Sequence, residues 1–252
     1  MKFVPRPLEE TADISRSRPN IRTFLSGAFS ALLFIGALWL VLGFAADLAA
    51  DSISEETEVT LFSWIPFGQE SDHPGMQRAG PILDRLLETG EVRPLPIRLA
   101  LWDMGMPNAF AIPGGVVGLT PSLLEEVESE AGLAFVLAHE LGHHHFRHTL
   151  KGVGRGLLWT FALAVVGASG TGDTLTTGLN LALRARSRAQ EEEADAFAIV
   201  LVKKTYGSAQ GALEFLEIME ENHDSDLPRW GTFFATHPPT PDRLQILRAL
   251  SE

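Results

Sequence analysis

Apolar positions follow three different periods along the chain. Gly27 to Ala46, GAFSALLFIGALWLVLGFAA, is an uncharged apolar run of the length that crosses a bilayer as a helix. Ile97 to Trp102, Asn108 to Ile112 and Val116 to Thr120 are short apolar runs broken by Gly and Pro, which predicts strands. Elsewhere the spacing is helical. Helices are expected over Pro81 to Glu88, from near Pro121, and over Ser208 to Glu221, where Leu213, Phe215, Leu216, Ile218 and Met219 are apolar. Thr240-Pro241-Asp242 opens a last one through Leu244, Ile246, Leu247 and Leu250. The expected fold is mainly α with a small β-sheet, an α+β domain behind an N-terminal transmembrane helix.

A signal peptide competes with a retained anchor for Gly27 to Ala46, but signal cores are shorter than this run. Before the run lie Lys2, Arg6, Arg16, Arg18 and Arg22; after it come Asp47, Asp51, Glu55, Glu56 and Glu58, with no Lys or Arg until Arg78. Positive charge stays on the cytoplasmic side, so a single-pass protein of the inner (cytoplasmic) membrane is expected, its larger part facing the periplasm or exterior. The division that follows is a cytoplasmic segment 1–22, an anchor 23–48, a linker 49–75 and a domain 76–252. Leu61 to Phe67, LFSWIPF, reads as linker or as a flap on the domain. A second apolar stretch, Leu157 to Ala168, is too short to span comfortably and reads as a buried hairpin helix or a membrane-dipping segment.

The 252 residues are 45 % apolar, enough for one full core, and a net charge of −12 argues against nucleic-acid partners. The absence of cysteine removes disulfides, thiol catalysis and thiolate metal sites.

The chemistry concentrates in His139-Glu140-Leu141-Gly142-His143, a complete H-E-x-x-H sequence on an expected helix. Residues four apart share a helix face, so both imidazoles can grip one zinc ion, and Glu140 lies where it can take a proton from a water at the metal. The preceding AGLAFVLA, Ala131 to Ala138, would hold the pair against a core. His144, His145 and His148 fall on the far side of a helical wheel and read as surface residues or as neighbours of the ligands. A third ligand is expected from Ser187-Arg188-Ala189-Gln190-Glu191-Glu192-Glu193-Ala194-Asp195. Glu191 and Asp195 share a face, and one can bind zinc while the other holds the free nitrogen of a ligating histidine.

Four blocks in order resemble the membrane-associated zinc endopeptidases of peptidase family M48, HtpX-like and prenyl-CAAX-protease-like. These are Asn108 to Gly115, the helix ending in Arg147-His148, the S-R-x-x-E-x-x-A-D run from Ser187 to Asp195, and Thr236-His237-Pro238-Pro239 with Arg243 beyond it. The resemblance spans roughly Asp84 to Ala249 and implies a zincin-like (gluzincin) fold with one Zn2+ per chain. It further implies that His139, His143 and Glu191 bind the metal, that Glu140 is the general base and that Asp195 supports a ligand histidine. It also makes His237 a site residue, either stabilising the oxyanion or occupying zinc's fourth position.

A strand bordering such a cleft can pair with an extended peptide, so Asn108 and Gly115 are candidate substrate-binding residues; otherwise they serve turn geometry alone. The expected activity is hydrolysis of peptide bonds in protein substrates at the cell envelope, for quality control or processing. The alternative is a membrane-anchored chaperone-like or binding protein with a self-repressed zinc site, which has no need of an intact Glu140.

Overall fold

The computed structural model describes residues 20–64, 72–165 and 187–210, and the single positions 213, 215, 217, 237, 243, 245, 248 and 249. The charges before residue 20, the stretch 65–67, the end of the second apolar stretch from 166, Thr236, Pro238, Pro239 and most of the two C-terminal helices expected from sequence lie outside them. The chain forms two compact units, Met1–Phe44 and Ala45–Glu252.

Helix α1 (Ile21–Ser52) contains the apolar run, and among the described residues it is the one helix long and apolar enough to cross a membrane. Its side chains, Leu32, Phe34 and Leu40 among them, are exposed, as a lipid-facing helix requires. In the second unit, α2 (Glu55–Phe62) starts from Ser54, whose hydroxyl accepts from the Thr57 amide. The α2 residue Glu58 is fully buried; it accepts hydrogen bonds from the Gly114 amide at 3.0 Å and from Arg93 at 2.8 Å. Two of the first-turn carboxylates of α2 thus meet Arg93, Glu55 at 3.7 Å and Glu58 more closely.

Helix α3 (Pro74–Glu88) begins at Pro74 rather than at Pro81. Pro81 reads as a helix start because proline suits the first turn, but Ala79, Ile82, Leu83 and Leu86 form one buried face, and packing overrides the local cost of an interior proline, about 3 kcal/mol. Strands β1 (Arg98–Leu101), β2 (Ala109–Ile112) and β3 (Val116–Leu119) form the expected small sheet in the order β1-β3-β2. β1 runs parallel to β3, Arg98 opposite Val116, and β2 antiparallel to it, Ala109 opposite Leu119. Thr120 caps α4 (Pro121–Glu126).

Helix α5 (Glu130–His145) is the core of the unit, buried from Gly132 to His144. Leu133, Leu137 and Leu141 pack among side chains of α3 and of α7 (Arg188–Tyr206), notably Leu86, Ala198, Ile199 and Leu201. Between them in sequence, α6 (His148–Val165) runs antiparallel to the end of α1. Lys151 meets Asp51 at 2.9 Å, Arg155 pairs with Asp47, and Gly154 faces Ala46. Leu157, Trp159 and Phe161 on α6 are 50 to 68 % exposed, which corrects the reading as a buried hairpin helix for the described part of this stretch.

Candidate functional site

The site is built where α5, α7 and β2 meet. The Ser129 hydroxyl accepts from the Gly132 amide and fixes the start of α5, so His139 and His143 fall one turn apart near its C-terminal end. On α7 a capping box between Ser187 and Gln190 sets the first turn, which places Glu191 and Asp195 one turn apart and facing α5. The two helices touch at Gly142, where a Cβ would stand 3.0 Å from the Ala194 Cα. The fourth residue of the H-E-x-x-H sequence therefore permits the approach of the helix that carries the carboxylates.

Three imidazole nitrogens and one carboxylate converge. His139 Nε2 lies 3.1 Å from His143 Nε2 and 3.1 Å from His237 Nδ1. Glu191 Oε2 is 3.4 Å from His139 Nε2 and 3.0 Å from His237 Nδ1, and Glu191 Oε1 is 3.4 Å from His143 Nε2. A tetrahedral zinc site with ligand bonds of about 2.0–2.1 Å has edges of about 3.3 Å, close to these separations. Glu191 Oε1 is buried and has no hydrogen-bond donor among the described residues, as a metal-binding oxygen would. The donor set therefore fits zinc.

Glu140 belongs to the same buried group, its ligand atom within 4.8 Å of those of His139, His143 and His237. It nevertheless sits off the convergence point, since its Oε1 is 3.3 Å from His237 Nε2, the far side of the ring from Nδ1. The same His237 Nε2 lies 3.3 Å from the Ala109 carbonyl oxygen at the start of β2.

Asp195 holds the other nitrogen of His139, Nδ1, at 2.9 Å. Arg243 grips that carboxylate with two hydrogen bonds, 2.7 and 2.9 Å, and comes within 3.4 Å of Glu191. Burial alone would lower the His139 pKa, but Asp195 and Glu191 override it and hold the imidazole at about 9. Burial would likewise raise the Glu191 carboxyl; His237, His143 and His139 hold it well below the ordinary carboxylate range instead. In His144, burial prevails and brings the imidazole down to about 4, against the raising effect of a hydrogen bond to the Val116 carbonyl.

Every metal-site residue expected from sequence is thus brought together: His139, Glu140, His143, Glu191, Asp195 and His237. The two candidate substrate residues are not part of the cluster. Asn108 is buried beside Ala109 and pairs through its backbone with Thr120. Gly115 lies in the β2–β3 turn with φ of 88°, where a Cβ would stand 2.7 Å from the Pro96 carbonyl oxygen, so both the turn and the approach of Pro96 favour glycine there.

His144 lies away from the convergence point but is buried against the Val116 carbonyl rather than on the surface, because α5 is covered on that side too. His148 Nδ1 lies 3.0 Å from His143 Nδ1, which makes it the neighbour of a candidate ligand, one of the two places the sequence offers for it. Arg243 stands in the resembling pattern without a role; its contact with Asp195 arises from the tertiary fold.

Residues 82–251 match the model of Peptidase family M48. The proteins named "Mitochondrial metalloendopeptidase OMA1" from Saccharomyces cerevisiae and Schizosaccharomyces pombe are similar in sequence. The first is 32 % identical over 147 residues, 55 % of this chain and 42 % of that protein, and the second 35 % over 81 residues, 32 % and 24 %. The Arabidopsis thaliana protein of the same name is 37 % identical over 59 residues, 23 % of this chain. The chain thus matches less than half the length of each of these relatives.

Proposed function

The chain belongs to peptidase family M48, and on that premise we propose that it is a membrane-anchored zinc endopeptidase that hydrolyses peptide bonds in protein substrates. The observation that carries this reading is the convergence of His139, His143, Glu191 and His237 within 3.0–3.4 Å beside a buried Glu140. His139, His143 and Glu191 hold one zinc ion, which when bound supplies Lewis acidity at the scissile carbonyl. Glu140 takes the proton of the attacking water and passes it to the leaving amine. Asp195, braced by Arg243, fixes the tautomer and orientation of His139. The edge strand β2, with its Ala109 carbonyl at the site, offers main-chain partners to an extended peptide.

His237 is read as the fourth ligand of a resting enzyme, because its Nδ1, not only its outer Nε2, faces the convergence point. That position supports a self-repressed site, the feature shared with the chaperone-like alternative, and the intact Glu140 favours repression of an enzyme over loss of one. The non-cytoplasmic orientation of the Ala45–Glu252 unit is proposed from the charges flanking α1. Quality control or processing of proteins at the membrane is the corresponding role, and relatives named as metalloendopeptidases accord with it. The test is Glu140→Gln, which removes the base and keeps the ligands. Cleavage of casein is expected to vanish with zinc still bound, and cleavage at the wild-type rate would overturn the mechanism.

A further inference from the structure

Resting on this metal-site reading, we propose that Arg147 and His148 form a positioning unit that ties the orientation of the His143 ring to the end of the anchor helix. With Nε2 of His143 turned to the convergence point, its Nδ1 carries the proton and donates to His148 Nδ1 at 3.0 Å. His148 Nε2 then donates to the Glu193 carboxylate at 3.0 Å. The His148 ring is buried and stacked on Phe146, with centroids 5.6 Å apart. His143 is therefore held through a second imidazole, whereas His139 is held by Asp195 directly.

His148 reaches His143 because the chain turns at Phe146-Arg147 between α5 and α6, and that turn depends on Arg147. Arg147 has φ of 60°, the one described non-glycine residue in the left-handed region. A side chain there is held only where its surroundings over-determine it. Its guanidinium supplies that restraint: it donates to the Ala50 and Ile53 carbonyl oxygens at 3.0 and 2.5 Å and to Glu55 Oε1 at 3.2 Å. Those carbonyls belong to the last turn of α1 and the residue beyond it; the Ala50 oxygen otherwise accepts only a long bond from the Ile53 amide, 3.4 Å, among the described residues. One arginine thus caps the anchor helix and sets the turn that returns His148 to the metal site. Lys151 with Asp51 and Arg155 with Asp47 continue the same contact along α6.

The unit is separable from fold stability by experiment. In the full-length protein in detergent, the zinc dissociation constant of the wild type, Arg147→Gly, Arg147→Lys, His148→Ala and the Arg147→Gly/His148→Ala pair is measured by chelator competition. The visible absorption of the Co2+-loaded forms and the melting temperature are recorded beside it. Arg147→Gly permits the left-handed turn and removes the side chain that donates to α1. His148→Ala is expected to weaken zinc by about 10–100-fold, the range for losing a partner of a ligand histidine, and to shift the cobalt spectrum. Arg147→Gly should weaken it by about tenfold, Arg147→Lys by less, and the pair no more than His148→Ala alone, because the arginine acts through the histidine. Wild-type zinc affinity in both Arg147 variants, or effects that add in the pair, overturns the proposal. Arg147→Lys serves this purpose if Arg147→Gly does not fold. A wild type that binds no zinc would instead overturn the metal-site reading.

Discussion

Glu191, Glu192 and Glu193 are chemically alike and adjacent, yet the fold gives Glu191 and Glu193 separate tasks. Glu191 is buried among three imidazoles, whereas Glu193 is half exposed and bonds to His148, outside the cluster. Glu191→Gln should therefore lose zinc, and Glu193→Gln should retain it within a few-fold; metal analysis of the purified variants checks this, and the reverse pattern would show the register to be wrong. His237 poses a different test. As a resting ligand its removal opens a coordination position, so His237→Ala should keep zinc and raise basal cleavage. A fall in kcat by roughly 10²–10³ would assign it to the oxyanion instead, and steady-state kinetics on a generic peptide separates the two. The proposed ligands are legible in the sequence because helical spacing pairs His139 with His143 and Glu191 with Asp195, and the resemblance to family M48 selects Glu191 over Asp195. The role of Arg243 is not, because it acts across a tertiary contact that has no local signal, and the left-handed turn at Arg147 lacks the glycine that usually announces one.

At the scale of elements, the sheet and the helices around it follow the sequence pattern closely, because the Pro113-Gly114-Gly115 turn, Thr120 and the capping Ser129 and Ser187 are local signals. Pro81 masks the start of α3, and the surface of α6 is not readable from its composition, because an apolar dozen residues looks the same whether it is buried or exposed. The α5–α7 contact is where an element-level prediction belongs. Gly142→Val would drive a branched side chain into the Ala194 backbone, where even a bare Cβ would stand only 3.0 Å from the Cα. The substitution should cost about 1–3 kcal/mol in chemical denaturation, as overpacking does, and weaken zinc by displacing Glu191 and Asp195. Unchanged stability and unchanged zinc affinity would show that this approach does not set the site.

For the whole molecule, α1 supplies an anchor and the Ala45–Glu252 unit the chemistry, with acidic residues following the apolar run and basic ones preceding it. Reporter fusions after Asp51 and at Glu252 should both report the non-cytoplasmic side; opposite sides would show that Leu157 to Ala168 crosses the membrane, which one metal site shared by α5 and α7 forbids. The central claim is that a buried zinc centre performs peptide hydrolysis. Its most direct measurement is metal content and casein cleavage by the full-length protein before chelation, after it, and after adding back zinc. One zinc per chain, with activity lost with the metal and restored by about one equivalent, is the expected result. Cleavage that persists in protein stripped of metal would contradict the account.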